Sequence, residues 1–342
     1  MTHTLIEPII KDILQTIEKD REREIISRRF GLFDRKETLE QIGELLGITR
    51  ERVRQLEKAI LTRIKAQAEQ SKLPHLEEVE SQIIDIINKS GNLSRINDLS
   101  ELLLNSSSKI DQSRVAFLCM IAPKLIVVDE NDFYFLSVAN TSAFKDQKSI
   151  TKQINEVVEA LKELGKPVSI KELAKSINSE DLAKVKSLAS ISKQLVSLNN
   201  QWGLTKWPAV NPKNIRDKIY IILKQNGKHM HFSEISKKIK QSGFKRKNVT
   251  IQAIHNELIK DDRFVLVGRG IYALKEWGYK KGTVSEVISE ILKKANEPLH
   301  RDEIVKRVMK NRYVKETTIL LNLQGKPQFK RVAKATYALA EE

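Results

Sequence analysis

TLEQIGELLGITRERVRQLEK, residues 38–58, has the pattern of two short helices joined by a tight turn. Leu39, Ile42, Leu45 and Leu46 recur at helical spacing and predict one buried face on the first helix. Gly43 falls where the two helices are expected to press closest, and a side chain there would hold them apart. Gly47 predicts the left-handed turn that ends this helix. Thr49 suits the N-cap of the second helix, because its hydroxyl can accept a hydrogen bond from an orphan backbone N–H. Val53, Leu56 and Ile60 then point inward, while Arg50, Glu51, Arg54 and Gln55 point outward from the first turns. Arginine and glutamine can hydrogen-bond base edges bidentately, glutamate can accept from cytosine, and the N-terminal end of such a helix is the part that reaches bases. An ordinary surface helix of alternating charge would explain neither the two glycines nor the lack of further acid on the outer face beyond Glu51.

The longer stretch DREREIISRRFGLFDRKETLEQIGELLGITRERVRQLEKAILTRIK, residues 20–65, resembles region 4 of bacterial sigma-70-class sigma factors. REREIISRRFGL resembles the first half of that region and TLEQIGELLGITRERVRQLE the second. The run TRERVRQLE makes the resemblance specific. It implies reading of a promoter −35 element and docking on the β flap of core RNA polymerase. It also implies that Arg50, Glu51, Arg54 and Gln55 read DNA from a helix capped by Thr49, with Arg28 and Arg29 as phosphate contacts. A complete sigma factor carries a large upstream region that melts the −10 element, whereas 19 residues precede Asp20 here. The expectation is therefore a borrowed DNA-binding or polymerase-docking module.

The 342 residues leave room for several small domains, each with its own core. No apolar run approaches the roughly 18–20 residues that span a bilayer. The first residues, MTHTLIEPIIKDIL, are interrupted by Pro8 and lack a basic leader and a small-residue cleavage site, so no signal peptide is expected. A single cysteine, Cys119, lies in the apolar run VAFLCMIA and reads as core; one thiol allows neither a disulfide framework nor a cysteine metal site. The net charge of +16 is unevenly placed. Residues 1–70 carry +1, residues 71–146 carry −4 and residues 147–210 carry +4. Residues 211–342 hold 29 Lys and Arg against 14 Asp and Glu, a net +15. Such a field attracts polyanions, and the release of counterions from phosphates makes binding strong at low salt.

Beyond Gln70 a unit of about 60–65 residues recurs four times. Each copy opens on an amphipathic helix: EEVESQIIDIINKSG, TKQINEVVEALKELG, PKNIRDKIYIILKQNG and SEVISEILKKANEP. A short polar or extended link leads to a second helix, a third follows, and two short β-like runs close the copy. The closing runs are KLIVVDENDFYFLSV, LVSLNNQWGLTKW, RFVLVGRGIYALKEW and QFKRVAKATYALA. Three helices followed by a two-stranded hairpin is the order of a winged helix. The last two copies resemble the HARE-type helix-turn-helix, the family of the N-terminal domain of the RNA polymerase δ subunit. The residues carrying this are GKHMHFSEISKKI with FVLVGRGIYALKEW, and NEPLHRDEIVKRV with FKRVAKATYALA.

The copies differ in what they offer to DNA. In the third, Lys245, Arg246 and Lys247 precede a helix with Thr250, Gln252 and Asn256 outward, and Gly268-Arg269-Gly270 forms the wing tip, where an arginine can enter a minor groove. The fourth offers Lys315, Thr318 and Asn322 on its third helix and Lys330, Arg331 and Lys334 on its hairpin. The first has Asp129, Glu130 and Asp132 at its wing, which phosphates repel, so protein contact or a spacer role is expected. The second, with Asn199, Asn200 and Gln201 at the tip, stays open.

No phosphate-loop motif, nucleophile motif or acidic cluster points to catalysis, and His229 and His231 lack a third ligand for a metal. The chain reads as mainly α: a helix-turn-helix over 1–70, then tandem winged-helix domains (three helices plus a β-hairpin) over 71–146, 147–210, 211–279 and 280–342. The expected function is DNA-binding transcription regulation in the cytoplasm, with double-stranded DNA as partner, no cofactor and no enzyme activity. Two rivals stand beside it. One is an accessory factor docking on core RNA polymerase through the β flap. The other is a DNA-specificity subunit of a restriction or modification system whose catalytic partner is another chain.

Overall fold

Helix-forming periodicity dominates the sequence, and a computed structural model that describes residues 6–340, apart from 107, 245, 247, 280 and 281, is mainly helical. The expected positions Lys245 and Lys247 thus lie outside the described residues. The chain divides into two compact units, one up to Lys206 and one from Trp207.

The first unit begins with α1 (Ile6–Gln15), α2 (Asp20–Phe30), α3 (Leu39–Leu46) and α4 (Arg50–Glu69). Thr38 caps α3 in a reciprocal box with Gln41, satisfying two backbone donors that a helix start leaves orphaned. Gly47 ends α3 at φ 64°, and Thr49 accepts the Arg52 N–H at 3.2 Å to start α4. Ile25, Ile42 and Val53 form a small core with Leu39, Leu46, Ile48 and Leu56 packed on it. Leu45 departs from the expected apolar face and is 54% exposed. At 100° per residue it lies about 120° around the helix from Leu39, off the stripe that faces α4. The far half of α4 joins a larger core through Ile60 and Ile64, which pack with Ile10 and Ile13 of α1 and with Phe117 further along.

Two groups with one element order complete this unit. The first is α5 (Leu76–Lys89), β1 (Leu93–Arg95), α6 (Ile96–Leu104), α7 (Lys109–Ile121), β2 (Leu125–Val128) and β3 (Ser137–Asn140). The second is α8 (Gln147–Leu164), β4 (Val168–Ser169), α9 (Ile170–Ser176), α10 (Leu182–Ile191), β5 (Leu195–Leu198) and β6 (Gln201–Leu204). Cys119 is fully buried in the first group, and burial pushes its thiol pKa far above the ordinary value.

The second unit repeats the order twice. It runs α11 (Ile215–Asn226), β7 (Met230–His231), α12 (Phe232–Gln241), α13 (Ile251–Lys260), β8 (Phe264–Gly268) and β9 (Ile271–Leu274). It continues with α14 (Val284–Ala295), β10 (Leu299–His300), α15 (Arg301–Asn311), α16 (Glu316–Gly325), β11 (Phe329–Ala333) and β12 (Thr336–Leu339).

The structure corrects the two-stranded hairpin expected in each copy. Each copy holds a three-stranded antiparallel sheet, in which the link before the second helix pairs with the last strand: β1-β3-β2, β4-β6-β5, β7-β9-β8 and β10-β12-β11. In the third copy Met230 and His231 face Tyr272 and Ile271 across this added pair. Link strands of two or three residues are too short to show an alternating pattern in sequence, and they form because the neighbouring strand offers unpaired backbone groups.

The sheets of neighbouring copies do not all stand apart. The acidic segment after β2 pairs with the second copy: Phe135 N–H donates to the Ile191 carbonyl at 3.0 Å and Lys193 N–H to Phe133 at 2.7 Å. Lys193 also holds Glu130 at 2.8 Å. In the second unit, Tyr313 N–H donates to the Val267 carbonyl of β8 at 3.1 Å, and Arg312 donates to Leu266 at 3.2 Å. A Cβ at Gly268 would stand 2.8 Å from the Tyr313 carbonyl oxygen, so a glycine lets the fourth copy reach this edge.

Candidate nucleic-acid interface

The cap at Thr49 fixes the rotation of α4, and with Val53 buried beneath it the opposite side of the first two turns faces solvent. Arg50, Glu51, Arg52, Arg54, Gln55 and Lys58 are all exposed there. Lys58, one turn on from Arg54, shares that face, and Arg52 borders it, donating to Gln55 Oε1 at 3.5 Å; the sequence pattern alone singles out neither. The outward residues form one network. Arg54 donates to both oxygens of Glu51, at 2.9 and 2.7 Å, in the bidentate geometry of a guanidinium–carboxylate pair. Gln55 Nε2 donates to the same carboxylate at 3.4 Å, and Arg50 pairs with Glu40 of α3 at 2.8 Å. Hydrogen bonding from Arg54 holds the Glu51 carboxyl below its ordinary pKa. Glu51 therefore orients the two side chains best suited to base edges.

Arg28 and Arg29 occupy a different position. Arg28 donates to Glu24 and Glu37, each at 2.9 Å, and these hydrogen bonds to both carboxylates raise its pKa. Arg29 reaches Glu57 of α4 at 3.2 Å. Arg63 hydrogen-bonds Glu22, and Arg21 donates to the Leu46 carbonyl at 2.6 Å. These pairs brace α2 against α3 and α4, and the charges of Arg28 and Arg29 are already answered by carboxylates. The basic pair Arg35 and Lys36, just before the α3 cap, is exposed and was not singled out in sequence.

In the second unit the expected residues fall at two kinds of place. Gln252 and Asn256 lie exposed on α13 and hydrogen-bond each other at 3.0 Å, while Thr250 is spent as the α13 cap. Arg246 adopts φ 53° and its carbonyl accepts from the buried Lys218 Nζ at 2.9 Å, so its backbone is pinned and its side chain exposed. Arg269 and Lys334 occupy equivalent tips: β8 and β9 are joined by Arg269-Gly270, and β11 and β12 by Lys334-Ala335, with φ 68° at Gly270 and 56° at Ala335. Lys315 is exposed at the start of α16, two residues after Tyr313, which contacts β8. Among the described residues no group of three or more His, Cys, Asp or Glu could hold a metal ion, and no helix is long and apolar enough to cross a membrane.

A capped helix with an outward row of arginine and glutamine, seated on a first helix through a glycine contact, defines a helix-turn-helix of the DNA-binding class. The family model for Sigma-70, region 4 matches residues 19–66, the span from the start of α2 to the last turn of α4. That region is a DNA-binding helix-turn-helix module.

Proposed function

We propose that the protein is a DNA-binding transcription regulator in which the module of residues 19–66 reads base sequence and the basic second unit supplies sequence-independent affinity. The observation that carries this reading is the Glu51–Arg54–Gln55 network at the exposed N-terminal end of α4, inside the Sigma-70, region 4 match. The four α–β–α–α–β–β groups are read as tandem winged helices over 71–146, 147–210, 211–279 and 280–342, the last two similar to the HARE type. Linking several modest modules raises affinity through effective concentration. The acidic first copy, with its wing held by Lys193, serves as a spacer.

Core RNA polymerase is a second proposed partner of the same module. Leu45 favours this contact: it is an open apolar side chain beside the reading helix, suited to a protein surface and not to phosphates. Arg28 and Arg29 act in this reading as the brace that aims α4, and Arg50, Arg52 and Lys58 as the phosphate contacts flanking Arg54 and Gln55.

Arg54→Ala or Gln55→Ala is expected to cost about 1–3 kcal/mol on the preferred duplex and much less on random DNA. Glu51→Ala is expected to relax discrimination while leaving random-DNA affinity unchanged or higher, because it frees both side chains and removes a negative charge. Equilibrium binding on paired duplexes checks both. Equal losses on both duplexes would reduce Arg54 and Gln55 to phosphate contacts.

A further inference from the structure

A cleft of about 730 Å³ opens in the first unit between the α2–α3 loop and the first repeat copy. Its volume lies within the range of small-molecule sites, roughly 300–1,000 Å³. Arg95, at the end of β1, lines it. The guanidinium carbon lies 4.1 Å from the centre of the Phe135 ring, and Nε is buried with no hydrogen-bond partner among the described residues. Asp98 attracts it from beyond ion-pair distance, and burial lowers its pKa. Leaving a buried charged donor unanswered is costly.

Three more cations line the same cleft. Arg35 and Lys36 come from the loop that leads into α3, and Lys109 from the first turn of α7. All three are exposed and form no ion pair among the described residues. Two acids also line it: Glu130 is neutralised by Lys193 at 2.8 Å, and Asp34 is exposed. The rest of the lining mixes the polar Asn97, Gln112 and Ser113 with an apolar stretch made by Ile96, Ile110 and Leu136 beside the Phe135 ring.

We propose that this cleft binds a phosphate-bearing small molecule with a planar apolar body, of the nucleotide class, with its phosphates on Arg95 and the rim cations and its base against the apolar wall. A guanidinium whose Nε has no acceptor among the described residues suits phosphate, which offers several oxygens to its nitrogens. A free phosphate would fill only a small part of the space and leave the apolar wall wet. The bound molecule joins the loop that carries α3 to the first repeat copy. The site is separate from the outer face of α4, so its failure leaves the DNA-reading proposal standing.

The test is calorimetric titration and thermal melting of the full chain with ATP, adenosine and inorganic phosphate as probes. ATP is expected to bind and raise the melting temperature, as any ligand selective for the folded state must, with adenosine and phosphate each at least tenfold weaker. Arg95→Met is expected to weaken ATP binding at least tenfold. Arg35→Ser with Lys109→Ser, both on exposed side chains, is expected to weaken it several-fold without altering the fold. Lys334→Ser, basic but distant in the chain, leaves it unchanged. No ATP binding would overturn the proposal. So would phosphate binding as tightly as ATP, or equal ATP binding by wild type and the cleft variants, since a chain of this charge also attracts nucleotides elsewhere.

Discussion

Gly43→Leu is expected to abolish sequence-specific DNA binding and to melt α3 away from α4 while the rest of the chain stays folded. A Cβ at position 43 would stand 2.7 Å from the Ile48 carbonyl oxygen and 3.5 Å from the Arg50 nitrogen. The first distance is closer than side-chain carbons come to backbone oxygen, and the atom it meets belongs to the turn that sets Thr49 as cap. Backbone there cannot rotate aside as a side chain does, so the cost meets or exceeds the roughly 1–3 kcal/mol of ordinary overpacking. The small core around Ile25, Ile42 and Val53 is separate from the larger one that anchors the far half of α4. The damage is therefore local. Amide hydrogen exchange should show loss of protection over residues 39–46 with residues 60–68 unchanged. A Gly43→Leu chain that melts and binds like the parent would contradict the assignment of this contact.

The second large effect concerns salt. Reversing Arg269, Lys315 and Lys334 to glutamate together in the full chain is expected to lower affinity for random duplex by about two to three orders of magnitude at low salt. Each phosphate contact contributes a slope near −0.9 in log affinity against log salt, so losing three flattens the slope by about 2.7. Reversing a charge adds repulsion to that loss. All three side chains are exposed and none takes part in an ion pair among the described residues, so folding is not at stake. The counterpart at Lys148, Lys152 and Lys166 of the second copy, in a region of net charge +4, should have a smaller effect. A salt titration of binding measures both. Equal affinity and slope before and after the C-terminal reversal would mean that its lysines serve solubility.

What the sequence made legible was local chemistry. Thr38, Gly47 and Thr49 act through bonds to residues within a few positions, and each was readable as a cap or turn because its side chain, or lack of one, has few other uses. The fourfold element order was legible for the same reason. What stayed hidden depends on contacts between distant residues. Arg28 and Arg29 resemble free phosphate contacts until Glu37 and Glu57, nine and 28 residues away, are found beside them. The pairing of Tyr313 with β8 and of Lys193 with the acidic wing depends on how one copy packs on the next, and no periodic pattern encodes it. Leu45 shows the limit of reading apolar residues by spacing alone: the helix is too short for its stripe to be centred without knowing where α4 lies.

The central claim is that α4 reads base sequence, and selection of bound duplexes from a randomised library by the intact chain tests it most directly. Successive rounds are expected to enrich one short motif at physiological salt. The motif is expected to disappear for Arg54→Ala while salt-sensitive retention of the whole pool persists. A wild-type pool that stays random, or a motif that survives unchanged in Arg54→Ala, would contradict the claim.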